Sequence, residues 1–247
     1  MAEPPRQLTL ALPVEAALGS DDYVVSTANR AAFDLVTAEL WPSDVLLLIG
    51  PEGAGKTHLA TVFAAATGAV TVAASDLADL DPLALASATV VVEDAGEDTD
   101  ERALFHLLNA VRQRGGRCLI TARRPPAAWD VDLADLASRL RAAVATELGL
   151  PDDPLLEAVL AKLFADRQTT VDPAVVAFLA RRMERSFAAA VHLVDVLDRE
   201  ALAAKGPITR VLAAAVLARG FDAEPQLPGL DAAAAEENNP SRNDDER

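Results

Sequence analysis

The sequence predicts an α/β chain in two parts: a mostly parallel sheet carrying a phosphate-binding loop, followed by a small all-helical unit. Three observations predict it. Short apolar runs alternate with helical patterns between residues 45 and 148, GPEGAGKT (50–57) stands between one such run and one such helix, and after Leu150 only helical signals continue. Buried parallel strands read as unbroken apolar runs, and strand–helix alternation at these lengths builds a parallel sheet.

VLLLI (45–49) is the first strand, residues 50–56 the loop, and residues 57–67 a helix. AVTVA (69–73) and TVVVE (89–93) are the next strands. Residues 103–114 place Leu104, Leu107, Leu108 and Val111 at helical spacing, and Gly115–Gly116 stops that helix. RCLIT (117–121) and AVATEL (143–148) complete the strands. Pro151 and Pro154 open helices expected over 154–168, 173–183, 186–204 and 207–219, with Pro173 and Pro207 in first turns, where a missing N–H costs little. The expected organisation is an N-terminal peptide (1–19), a nucleotide-binding domain (20–150), a helical domain (151–220) and a polar, acidic tail (221–247) that composition predicts to be disordered.

Hydrophobic residues make up 51% of the chain, enough for a sizeable core. Apolar runs such as 45–49 and 89–92 fall far short of the roughly 20 residues a membrane span needs. The N-terminus lacks the basic-then-apolar pattern of a signal peptide, so a cytoplasmic location without membrane contact is expected. Cys118, the single cysteine, can form no internal disulfide and reads as a small core residue. A formal net charge of −16 runs against autonomous DNA binding, which needs a basic face. Arg123–Arg124 and Arg181–Arg182 are local basic pairs that solvated surface explains equally well. His58, His106 and His192 share no metal-ligand spacing with one another or with Cys118 and read as helix residues.

GPEGAGKT fits G-x-x-x-x-G-K-[ST] in the strand–loop–helix context the motif requires. Gly50, Glu52, Gly53, Ala54 and Gly55 form a loop whose glycines let successive backbone amides turn toward phosphate oxygens, with a helix N-terminus behind them. Lys56 is placed to reach the β- and γ-phosphates, and the Thr57 hydroxyl to help hold Mg²⁺. ADP or ATP with Mg²⁺ is therefore the expected ligand. VVVED (90–94) supplies acids at the end of a later strand: Glu93 to support the metal and Asp94 to position an attacking water. The alternative is that both are surface carboxylates on a loop with Glu97 and Asp98. Glu93 stands where Asp is more frequent, which leaves metal geometry and turnover open.

Four stretches give the chain a resemblance to the AAA+ module of the DnaA family of replication initiators, and most closely to the DnaA-related regulators of the Hda family. DDYVVSTANR (21–30) is similar to the box that lies against adenine, which implies roles for Tyr23, Val24 and Asn29. GPEGAGKTHLA (50–60) is the phosphate loop in the family's form and adds His58. LITARRPP (119–126) resembles the sensor 1 segment, and DLASRL (135–140) the motif carrying an arginine finger. The resemblance covers roughly residues 7–219. It implies that Arg139 is the finger, reaching a nucleotide on a neighbouring subunit, and that Arg185 in ERSFAAAV closes over the phosphates from the lid. Read without the family, Arg139 is one more helix-surface arginine. An arginine supplied in trans accelerates phosphoryl transfer on the order of 10³–10⁵-fold. The chain departs from the family at Arg123, where the family often has Asp, and this weakens any expectation of brisk intrinsic hydrolysis. DnaA continues past the lid into a helix-turn-helix domain, whereas residues 221–247 carry no such pattern, so the resemblance implies a regulator.

RQLTLALP (6–13) alternates apolar residues and reads from its residues as an edge strand or as a peptide for a partner's groove. The resemblance implies the peptide, with Gln7, Leu8, Leu10 and Leu12 as anchors in the sliding clamp, the β subunit of DNA polymerase III. QLPGL (226–230) is similar but reads as tail. The implied function is negative regulation of replication initiation: the chain binds nucleotide and the DNA-loaded clamp, self-associates as a homodimer or nucleotide-dependent oligomer, and presents Arg139 to ATP on DnaA at the replisome. Its own ATPase activity is expected to be weak. The alternatives are a helicase-loading or DNA-remodelling ATPase using its own turnover, and a small-molecule kinase. The acidic balance and Glu93 argue against the first, the ASRL motif against the second.

Overall fold

The computed structural model describes residues 23–85 and 89–220. The octet containing Gln7, Leu8, Leu10 and Leu12, the QLPGL string and the acidic tail lie outside the described residues.

The apolar runs become β1 (Val45–Ile49), β2 (Val70–Ala73), β3 (Thr89–Ala95), β4 (Arg117–Ala122) and β5 (Val144–Glu147). All pair in parallel, in the order β2-β3-β4-β1-β5. β1 is buried at every position because strands flank it on both sides and helices cover both faces. The edge strands β2 and β5 are partly exposed, as their mixed polar and apolar residues require.

Successive strand residues point to opposite faces, and each face collects its own helices. On one, Leu46, Leu48, Val91 and Leu119 meet Ala32 and Val36 of α1 (Arg30–Val36) and Leu59 and Phe63 of α2 (Lys56–Thr67). On the other, Val45, Leu47, Val90 and Ile120 meet Leu85 of α3 (Pro82–Leu85) and Leu104, Leu107 and Leu108 of α4 (Glu101–Gln113). Leu136 and Leu140 of α5 (Ala134–Ala142) join this second core. Cys118 is fully buried there, and burial pushes its thiol up to about 12.

The helical unit comprises α6 (Asp153–Asp166), α7 (Pro173–Ala180), α8 (Phe187–Ala204) and α9 (Arg210–Arg219) around a separate core of Leu160, Phe164, Leu179, Leu193, Leu197 and Val216. Each helix starts at a side-chain cap: Asp152 accepts from Leu155 N, Asp172 from Ala174 N, Ser186 from Ala189 N and Thr209 from Leu212 N. A capping oxygen satisfies an amide that would otherwise lack a partner. The boundaries differ from those expected. Pro207 precedes the Thr209 cap and so lies outside α9, and α7 ends at Ala180 instead of 183. α1, α3 and the 3₁₀ turns at Ala74–Asp79 and Pro126–Ala128 were not expected as elements. Among the described residues, no helix is long and apolar enough to cross a membrane.

Phe164 is fully buried at the centre of the helical core. Phe164→Ala is expected to lower stability by about 3–5 kcal/mol, measured by urea unfolding. A loss below about 1 kcal/mol, as at a surface position, would contradict this packing.

Candidate functional site

β1 delivers the phosphate loop to the C-terminal edge of the sheet. The Gly50 N–H donates to the Ala122 carbonyl at 3.0 Å, and Leu148 N to the Ile49 carbonyl at 2.7 Å. The loop thus leaves between β4 and β5. Gly53 and Gly55 adopt positive φ of 77° and 90°, a region that side chains with a Cβ rarely enter. Gly55 caps α2, whose first-turn amides face into the loop. Lys56 is buried, and its Nζ donates to the Pro51 carbonyl at 2.9 Å across the loop. Burial lowers its pKa most; Asp94, Glu52 and Glu93 oppose that shift, while the Arg123 charge reinforces it.

The acids stand on a bulge. Val92 pairs with Ile120 and Ala95 with Ala122, so β3 holds one residue more than β4 between these pairs. The strand was expected to end at Glu93; it continues to Ala95 through the bulge. Asp94 takes φ of 54°, and its N–H donates to the Thr121 hydroxyl at 3.0 Å. Bulges re-aim side chains beside active sites, and this one turns Glu93 to the loop, where it accepts a hydrogen bond from Thr57. Burial raises the Glu93 pKa most, and the Asp94 charge raises it further; Thr57 and Lys56 pull it down. The Thr57 hydroxyl and Glu93 carboxylate are oxygen donors of the kind Mg²⁺ accepts alongside substrate phosphates and waters. No group of three or more His, Cys, Asp or Glu among the described residues could hold a metal alone.

Two further walls meet the loop. Tyr23 stacks on Phe33 of α1 at 5.4 Å and meets the His58 ring edge-on at 5.1 Å, which brings residues 23–29 against α2. Asn29 fixes that stretch: its Oδ1 accepts from Ser26 N at 2.8 Å and its Nδ2 donates to the Val24 carbonyl at 2.9 Å. Burial pushes the Tyr23 phenol up to about 12, with an opposing hydrogen bond from Asn29. On the other side lies the start of α8. A Cβ on Gly53 would fall 2.6 Å from Ser186 Cβ, and one on Gly55 2.7 Å from the Phe187 ring. Ser186 and Phe187 escaped the sequence reading; the signal was the spacing of two glycines that something must cover.

Arg185 sits beside this contact but donates to the Pro151 carbonyl and Asp153, not to the loop. Arg139 is not brought to the loop either. Its guanidinium lies 5.3 Å over the Phe105 ring and donates to Asn109, both on α4. α4 and α5 cover the sheet face opposite α2. Arg123, read in the sequence as half of a local basic pair and as a departure from the family, reaches the loop and pairs with Glu52 at 2.9 Å.

A phosphate-type loop after β1, acids near the end of β3, a parallel sheet ordered 2-3-4-1-5 and an appended helical unit define the AAA+ P-loop NTPase fold. Within that class the likeness is to DnaA. The chain is 26% identical over 198 residues to the chromosomal replication initiator protein DnaA of Sphingopyxis alaskensis, a match covering 68% of this chain and 44% of the relative. It therefore spans less than half of that relative's length. Domain III of the Thermotoga maritima replication initiation protein DnaA superposes with a TM-score of 0.70 at 15% identity, over 86% of this chain and 100% of the other. AMPPCP-bound DnaA from Aquifex aeolicus gives 0.60 at 16% identity, over 72% of this chain and 64% of the other. No family model matches the chain. The fold is that of a DnaA-like AAA+ domain.

Because the folded state raises the Glu93 pKa above its ordinary 4.5, it binds that proton more tightly than the unfolded chain does. The resulting stability is present below the ordinary value and is lost as pH rises through the raised one. Glu93→Gln removes the titration. It is expected to gain stability relative to the unsubstituted protein as pH rises from acid to neutral, measured by urea unfolding across that range. A stability difference independent of pH would overturn this placement of Glu93.

Proposed function

We propose that this chain is a nucleotide-binding regulator of replication initiation that acts on DnaA. The loop 50–57 holds the phosphates of ADP or ATP through its amides and Lys56, with Tyr23, Val24, Asn29 and His58 on the base side. Thr57 and Glu93 hold Mg²⁺, which when bound neutralises phosphate charge. Asp94 orients water, and Arg185 closes from the helical unit. The observation that carries the regulatory reading is the position of Arg139: it lies on the sheet face opposite α2, held by Phe105 and Asn109. A guanidinium there is held away from the loop of its own chain and can be offered to another's. ATP bound by DnaA is the target this reading assigns. Neutralising charge on the transferring phosphoryl oxygens turns DnaA-ATP into DnaA-ADP and restrains initiation. The octet with Gln7, Leu8, Leu10 and Leu12 docks on the sliding clamp, and self-association of the regulator strengthens that grip by avidity.

The test is ATP hydrolysis by DnaA with this protein, the clamp and DNA, each omitted in turn. Full stimulation is expected only with all present. Arg139→Ala should retain nucleotide uptake and lose stimulation by about tenfold or more, given the ~10³-fold scale of such groups. Stimulation within about twofold of the unsubstituted protein would remove Arg139 from this role.

A further inference from the structure

The Arg123–Glu52 pair spans from the end of β4 to the phosphate loop. The backbone on either side of Arg123 is fixed: the Ala122 carbonyl accepts from Gly50 N at 3.0 Å, and the Arg124 carbonyl accepts from the Trp129 indole at 2.8 Å. Trp129 is itself buried. What freedom remains lies in the Arg123 side chain, which crosses to Glu52 at 2.9 Å. Both side chains are largely exposed, 62% and 78%. Both also act on Lys56, Arg123 opposing its charge and Glu52 favouring it. The pair therefore stands within the electrostatic reach of the lysine that the nucleotide reading places on the β- and γ-phosphates.

Ser186 and Phe187 cover Gly53 and Gly55 on the other side of the loop. The Arg123 side instead opens on a cavity of about 410 Å³ lined in part by Asp94, Asp98, Thr99 and Arg124. An exposed ion pair contributes little net free energy, so an incoming anion can replace Glu52 at little cost. Arginine binds phosphate oxygens with the same fork that it offers a carboxylate.

We infer that the Arg123–Glu52 pair is a charge latch at the mouth of the phosphate loop, opened by the terminal phosphate of a nucleoside triphosphate and left closed by a diphosphate. Glu52 competes with that phosphate for Arg123 and so sets the preference between the two nucleotides. The inference rests on the nucleotide-binding reading and deepens it by assigning what discriminates di- from triphosphate.

The experiment titrates ADP and AMPPCP with Mg²⁺ into the full chain by calorimetry, for the unsubstituted protein, Glu52→Gln, Arg123→Gln and the double variant. Both positions are exposed, so the variants should fold as the parent does. The readout is the ratio of AMPPCP to ADP affinity. Glu52→Gln should raise that ratio about threefold and Arg123→Gln lower it about threefold, the scale of an exposed ion pair. In the Arg123→Gln background, the effect of Glu52→Gln should shrink, because no partner remains to be released. If Glu52 acts only by general repulsion, its removal has an equal or larger effect once Arg123 is gone, and the latch is overturned. An unchanged ratio in the single variants overturns it too. Absence of ADP binding by the unsubstituted protein overturns the nucleotide reading itself, and the latch with it.

Discussion

The close approach of α8 to the phosphate loop is the constraint on which the rest of the site depends. Gly53 and Gly55 have no Cβ where Ser186 and Phe187 stand, and both adopt backbone angles that L side chains seldom take. Loop shape and helical-unit position are therefore one condition. Ser186 also caps α8 by accepting from Ala189 N, so the residue that touches the loop starts the helix that carries the second core. A shift of the loop is felt directly at the entrance to that helix.

A second theme is that each cation of interest is held by an internal partner. Lys56 donates to the Pro51 carbonyl, Arg185 to Asp153 and the Pro151 carbonyl, Arg123 to Glu52, and Arg139 to Asn109. The partners differ in kind. A backbone carbonyl or an amide oxygen carries no net charge and yields to phosphate readily, whereas Asp153 and Glu52 compete as anions. The exchanges therefore differ in kind: Lys56 leaves a neutral carbonyl on meeting a polyphosphate, and Arg185 and Arg123 each leave a carboxylate.

The central strands were legible because burial on both faces demands apolar runs, and VLLLI, TVVV and RCLITA became strands in the register of a parallel sheet. The loop was legible because its glycines and lysine answer to backbone chemistry rather than to distant neighbours. Less legible were features set by long-range pairing. The bulge at Asp94 depends on the Thr121 hydroxyl, 27 residues on. The Arg123–Glu52 pair depends on β4 lying beside β1, and the covering of Gly55 by Phe187 on how the helical unit docks. α1 was missed for a local reason: it has seven residues and no side-chain cap. The ASRL motif was read from likeness alone, and only the packing of α5 on α4 shows which face of the sheet Arg139 occupies.

The central claim is that one nucleotide site is built jointly by the loop and the helical unit. A crystal structure of this protein with ADP and Mg²⁺ tests it most directly. The expected result places the diphosphate on the amides of residues 50–57, with Lys56 Nζ moved from the Pro51 carbonyl to phosphate. Arg185 is expected to leave Asp153 for the same group. Nucleotide bound elsewhere, or phosphates in the loop while Lys56 stays on Pro51 and Arg185 on Asp153, would contradict it.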